Sequence, residues 1–212
     1  MLEGILEAII QPIKFFRELE DKPQRVSLAF IVVLITAILA AVVAYFSALP
    51  TADAFPDSAF IGQISMITAP IVALIATFII WLAYGLLIRM GAGMDVKPWA
   101  IAAYSSAPQI IILTIVIVIA ALFPVTVSPI TADPSNAEAF RAANLQLQEE
   151  IRSSVYGRSS QVLSYLSSLW QVILVYLGIS AVSSQARAIR GTVLVAIFAF
   201  GFLLLPWLLA SV

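Results

Sequence analysis

Apolar and polar positions divide the chain into long hydrophobic runs separated by short polar segments. Five runs, about 26–49, 63–89, 99–123, 162–183 and 191–211, are almost free of charged side chains. Each reaches the roughly 20 residues that cross about 30 Å of hydrocarbon. The central run, Trp99 to Phe123, contains no Lys, Arg, Asp or Glu and is nearly pure Ile, Val, Leu and Ala beyond Pro108. The pattern predicts an all-α fold, a polytopic membrane protein built as a five-transmembrane-helix bundle in one membrane domain over residues 1–212.

The intervening segments carry the punctuation. Leu2, Ile5, Leu6, Ile9, Ile13 and Phe16 recur at helical spacing, with Glu3, Glu7, Lys14 and Arg17 largely elsewhere. Residues 1–22 are therefore predicted to hold a short N-terminal amphipathic helix, bent near Pro12. It would either lie at the membrane interface or pack on the end of the bundle. Asp21-Lys22-Pro23 ends it, and Pro50 closes the first run before a loop carrying Asp53 and Asp57. Pro70 interrupts the second run, and Arg89 closes it ahead of the loop Met90–Pro98. Residues 124–160 form the longest polar loop. Within it, Ser135-Asn136-Ala137-Glu138 is a capping-box pattern, and Phe140, Ala143, Leu147 and Ile151 mark one face of a short amphipathic helix. Pro206 lies near the end of the last run.

Charge sets the expected orientation. Lys14, Arg17, Lys22, Arg25, Arg89, Lys97, Arg187 and Arg190 fall on one side, and only Arg141, Arg152 and Arg158 on the other. Cytoplasmic flanks carry the excess of Lys and Arg. The N-terminus is expected in the cytoplasm, the 124–160 loop outside it, and Ser211-Val212 outside as well. The first residues show no signal-peptide pattern, because Glu3 and Glu7 interrupt their apolar positions.

Composition sharpens the class. Hydrophobic residues make up 62% and charged residues 11%, against about 45–50% and about 25% in soluble domains. Lipid must solvate the excess. A net charge of -1 leaves no basic patch for a nucleic-acid partner. With no His and no Cys, thiolate chemistry, His-based catalysis and His-ligated metals are ruled out, so no cofactor is expected. None of the five runs holds an ionisable residue other than tyrosine at its core, which argues against proton-coupled transport. Serine, glutamine and backbone carbonyls could still line a path.

Three constellations stand out. Tyr104-Ser105-Ser106-Ala107-Pro108-Gln109 opens the central run with a kink signal, since Pro108 lacks an N–H and clashes with the Tyr104 carbonyl. Freed carbonyls would take donors from Ser105, Ser106 or water. It reads as a hinge or binding site, or, preferred, as an ordinary proline kink. Gln161, Ser164, Ser168, Gln171 and Gly178 share one face of the fourth run. They suit either a polar pathway wall or, preferred, close helix packing. The glycines of Arg89–Lys97 lack the G-x-x-x-x-G-K-[ST] spacing, so a tight turn whose cations meet lipid headgroups is expected rather than a nucleotide cradle.

Several of these segments together resemble a known family. They are Pro12-Ile13-Lys14-Phe15-Phe16-Arg17 ahead of the first run, the Trp81 to Gly93 exit of the second, and Trp99 followed by Ala103-Tyr104-Ser105-Ser106-Ala107-Pro108. With the five-span plan, they resemble the YIP family, the Ypt/Rab-interacting membrane proteins and their prokaryotic relatives. The family's Gly-Tyr-Ser reads Ala103-Tyr104-Ser105 here, and only about 25 residues precede the first run, without the Asp-Leu-Tyr-Gly-Pro signature. The resemblance implies a short, prokaryotic-type member in the cytoplasmic membrane. The expected function is a non-enzymatic scaffold or adaptor binding protein partners or lipid on its cytoplasmic side, with a small transporter or channel through the kinked second and third helices as the alternative. Expected partners are the bilayer, anionic headgroups and an unidentified protein, with self-association left open.

Overall fold

The computed structural model describes residues 2–19, 23–55, 59–129 and 137–210. They form α1 (Leu2–Ile10), α2 (Pro12–Arg17), α3 (Pro23–Ala54), α4 (Ala59–Ala92), α5 (Pro98–Ser105), α6 (Ala107–Leu122), α7 (Ala137–Ser153), α8 (Val155–Val182) and α9 (Gln185–Ala210). No strand occurs among the described residues. The Asp21-Lys22 break, Asp57, the Ser135-Asn136 half of the capping box and Ser211-Val212 lie outside them. Among the described residues, the stretches Ser27–Ala54, Gly62–Ala92, Pro98–Leu122 and Val155–Val182 are four helical segments long and apolar enough to cross a membrane. Ile67, Ile71, Val72, Ile75 and Ile79 of α4 are each more than half exposed. A water-soluble protein does not carry such a strip, whereas lipid solvates it.

The long helices run past their apolar cores. α3 continues through Pro50 to Ala54, and Pro70 sits inside α4. Each proline removes one backbone bond, a loss membrane helices accommodate through neighbouring helices and hydroxyl side chains. α8 starts at Val155 because Ser154 caps it. The Ser154 hydroxyl accepts from the Gly157 N–H at 3.0 Å and donates to the Ile151 carbonyl at 2.6 Å. One side chain thus ends α7 and begins α8.

The chain folds into two compact units. The first takes residues 1–36, 77–111 and 165–212, and the second 37–76 and 112–164. The first unit's core joins Phe15 and Phe16 of α2 to Val33, Ile88, Ile101 and Val195 of the long helices. Small residues bring these helices together. A methyl group at Gly91 would collide with the Gly191 backbone, and one at Gly85 would enter the Trp99 ring. Only glycine permits either approach.

In the second unit, Ile112, Val116 and Ala120 of α6 pack around Tyr156 of α8. The Ser47 hydroxyl donates to the Val43 carbonyl at 3.0 Å. Its contact with the Tyr156 hydroxyl at 2.6 Å therefore has the tyrosine as donor. Leu147 of α7 is buried with Ala54 and Phe55, and Phe140 and Ile151 pack beside them. The apolar face expected around Phe140, Leu147 and Ile151 is the one α7 turns inward.

A methyl at Gly91 should destabilise the protein by about 1–3 kcal/mol, the usual cost of overpacking. Gly201, with nothing within 4 Å of an added Cβ, provides the control. Gly201→Ala should be neutral or stabilising through helix propensity. Thermal unfolding in detergent compares the two, and equal melting temperatures would contradict the close α4–α9 approach.

Candidate functional site

The site is built on α5, a helix surrounded on every side. Pro98 opens it at a position where proline is well tolerated. Ahead of it Lys97 adopts a left-handed conformation, φ 53° and ψ 60°, uncommon for a side-chain-bearing residue. Its Nζ donates to the Leu19 carbonyl at 2.8 Å, satisfying an acceptor just beyond α2. Lys97 is thus engaged within the protein rather than simply presented to headgroups. Ala100, Ile101, Ala102, Ala103, Tyr104 and Ser105 are all buried. The alanines let neighbouring helices approach closely, and the Tyr104 ring meets Phe15 edge-on at 4.6 Å.

Ser106 separates α5 from α6 as the C-cap of α5. Pro108 then falls in the first turn of α6, where its missing N–H would have had no helical partner. The carbonyls left open at the end of α5 are satisfied locally. Ser105 Oγ donates to the Ala102 carbonyl at 2.9 Å and Ser106 Oγ to Ala103 at 2.6 Å. Backbone N–H groups at the cap reach Ala103 and Tyr104. The Tyr104 carbonyl is therefore served by the backbone, and the two hydroxyls by the turn before it.

The break aims Gln109 of α6 at Gln171 of α8, with Nε2 of Gln109 donating to Oε1 of Gln171 at 2.9 Å. Gln171 is 4% exposed. Beside this pair lies a cavity of about 70 Å³, walled also by Ser106, Thr77, Trp81 and Val33. All of these residues belong to the first unit. Trp81 is held in place by its indole N–H, which donates to the Trp99 carbonyl at 3.0 Å.

Of the residues singled out in the sequence, Ser106, Gln109 and Gln171 line this cavity, while Tyr104 packs on Phe15 and Ser105 and Pro108 are buried at the helix break. Ser168 is half-buried, while Gln161 and Ser164 are exposed and Ser167 is buried in their stead. Gly178 lies under Ile101 and Phe16. Thr77, Trp81 and Val33 were not selected from the sequence as site residues. Thr77 and Trp81 are four apart on one helix face, a spacing that carries no polar signal within an apolar run.

A second surface is formed by α1 and α2. Ile5, Ala8, Phe15 and Phe16 are buried, yet Leu6 is 51%, Ile10 70% and Ile13 47% exposed. The single apolar face expected here is divided: Ile5 and Phe16 point inward, and Leu6 and Ile13 outward. The division runs within each helix: neighbours such as Ile5 and Leu6 of α1 project in different directions, so only one of them can meet the core. Lys14 and Arg17 are exposed beside the outward strip, with Lys14 Nζ 4.0 Å from Glu7. Near Lys97, Arg187 of α9 pairs with Asp95 at 2.7 Å.

Comparison with protein families matches the Yip1 domain across residues 6–210. Searches among curated proteins and among solved structures find no significant match.

Removing one member of the glutamine pair should cost more than removing both. Gln171→Leu leaves the Gln109 amide unpaired, with an expected loss of about 1–3 kcal/mol. The double variant Gln109→Leu/Gln171→Leu should recover most of it, and a double-mutant cycle by thermal unfolding measures this. Pro108→Ala should shift stability by under about 1 kcal/mol, because the first turn of α6 already tolerates proline. A large shift would show that Pro108, and not the cap at Ser106, maintains the break.

Proposed function

We propose, starting from the fact that this chain belongs to the Yip1 domain family and is an integral multi-pass membrane protein, that it acts as a non-enzymatic scaffold. Its docking face is the outward side of α1 and α2. One observation carries the reading: Phe15 and Phe16 are both fully buried, while Leu6, Ile10 and Ile13 on the same short segment stay exposed. With Phe15 and Phe16 holding the segment to the core, the apolar strip left outside suits lipid or a partner surface. Exposed Lys14 and Arg17 add roughly 1 kcal/mol each beside anionic headgroups.

In this reading the chain crosses the membrane five times, with α9 as the fifth crossing. The N-terminus, the α4–α5 turn and the α8–α9 turn face the cytoplasm of a prokaryotic cell, and α7 and the C-terminus face outward. The eight-to-three division of Lys and Arg supports this orientation. α1 and α2 then lie at the cytoplasmic interface. The alternative, a small transporter or channel through α4 and the α5–α6 break, draws on the cavity beside Gln109 and Gln171. Against it, Ser105 and Ser106 donate to the backbone of their own helix rather than to a path.

The chain has no cysteine, so single cysteines test both points. An impermeant thiol reagent should label Leu145→Cys from outside intact cells and spare Met94→Cys. Strong outside labelling at position 94 would reverse the orientation. Spin labels at positions 6 and 10 should report membrane depth or a protein contact, while one at position 14 stays wet. Equal water exposure at all three would remove the docking role.

A further inference from the structure

We propose that the cavity beside the Gln109–Gln171 pair is a binding site for the uncharged, hydroxyl-bearing head of a small amphiphile. The cavity, at about 70 Å³, is several times the ~10–15 Å³ that one water requires. Ala102 and Ser106 in its wall are 1% and 8% exposed, while Thr77, Ile80, Trp81 and Gln109 are half-buried. Apolar voids stay dry, but this one carries polar walls and so favours occupancy by hydrogen-bonding groups.

The chemistry of the walls selects the ligand. The contact of Gln109 Nε2 with Gln171 Oε1 is the hydrogen bond that joins the two side chains. It uses one donor and one acceptor of the pair and leaves Gln109 Oε1 and Gln171 Nε2 unmatched among the described residues. A group that both donates and accepts completes them, and a hydroxyl does both. Ser106 Oγ has given its proton to Ala103, so toward the cavity it can only accept. Among the described residues, no Lys, Arg, Asp or Glu lines the space. A charged ligand would be desolvated there without a counter-ion, which rejects carboxylates and phosphates. Val33, Ile80 and the Trp81 indole supply an apolar wall for the ligand's carbon part. The site would exist whether or not α1 and α2 dock anything.

A hydroxyl head could arrive on a lipid or as a free polyol, and one experiment separates them. The full chain is placed in nanodiscs of neutral lipid with a monoacylglycerol bearing a diazirine at the start of its acyl chain. After irradiation, peptide mass spectrometry should find saturable labelling on the α4 segment around Thr77 and Trp81. Unlabelled monoacylglycerol should compete, and the corresponding fatty-acid anion should not. Competition by monoacylglycerol alone identifies a lipid-borne head, and competition by glycerol as well identifies a free polyol; either supports the site. Gln171→Leu should lower saturable labelling about tenfold, as expected for a lost hydrogen bond.

The wild-type competition does not depend on how that variant folds. Labelling spread along the exposed face of α4 without competition would overturn the site. So would equal competition by the anion, or unchanged labelling in a Gln171→Leu protein whose melting curve remains cooperative.

Discussion

Backbone groups in hydrocarbon have no water to turn to, and that constraint shapes the α5–α6 break. Pro108 has no N–H to give the Tyr104 carbonyl, and it stands in the first turn of α6, where that lack is tolerated. The chain answers by closing α5 at Ser106 and restarting as α6, with cap N–H groups and two serine hydroxyls covering the exposed carbonyls. Because the break is satisfied locally, it can be held in one geometry. That geometry seats Tyr104 against Phe15 and brings Gln109 within hydrogen-bond distance of Gln171. The polar residues that look chemical in the sequence largely serve the backbone.

Packing rather than charge holds the first unit together. In lipid the hydrophobic effect gives helices little reason to associate, so close van der Waals contact and interhelical hydrogen bonds must do so. Gly85 under the Trp99 ring, Gly91 against Gly191 and the alanines of α5 provide that contact. The Trp81–Trp99 hydrogen bond fixes a neighbouring position. The ion pair between Asp95 and Arg187 is solvent-exposed and worth ~0–1 kcal/mol. Its contribution is to register the α4–α5 turn on α9, with little effect on stability.

These features divide the proposed roles between two places. The α1–α2 segment is anchored by Phe15 and Phe16 and still presents Leu6, Ile10 and Ile13, which fits docking on a membrane surface or partner. The cavity near Gln171 is small, uncharged and walled by a tryptophan, which fits recognition of a neutral head. Tyr104, packed on Phe15, lies two residues before Ser106 in the cavity wall. A ligand there would thus act close to the anchor of the docking segment.

The amino-acid order alone established the membrane class and the helical content, and its Tyr104–Pro108 kink signal marked where the third run divides into α5 and α6. Long uncharged runs have only one solvent available to them, and proline acts on its own neighbours. The inward face of α7 followed from 3.6-residue periodicity at Phe140, Leu147 and Ile151. Tertiary structure decided what local pattern cannot encode. In a run apolar on every side, periodicity does not distinguish a lipid-facing residue from one facing another helix. Thr77 and Trp81 could therefore not be assigned to the cavity wall, nor Ser167 preferred over Ser164. Likewise, Ile5 and Leu6 are equally apolar neighbours. Only the core that α1 packs against decides which is buried, because burial is a property of the surface that arrives opposite.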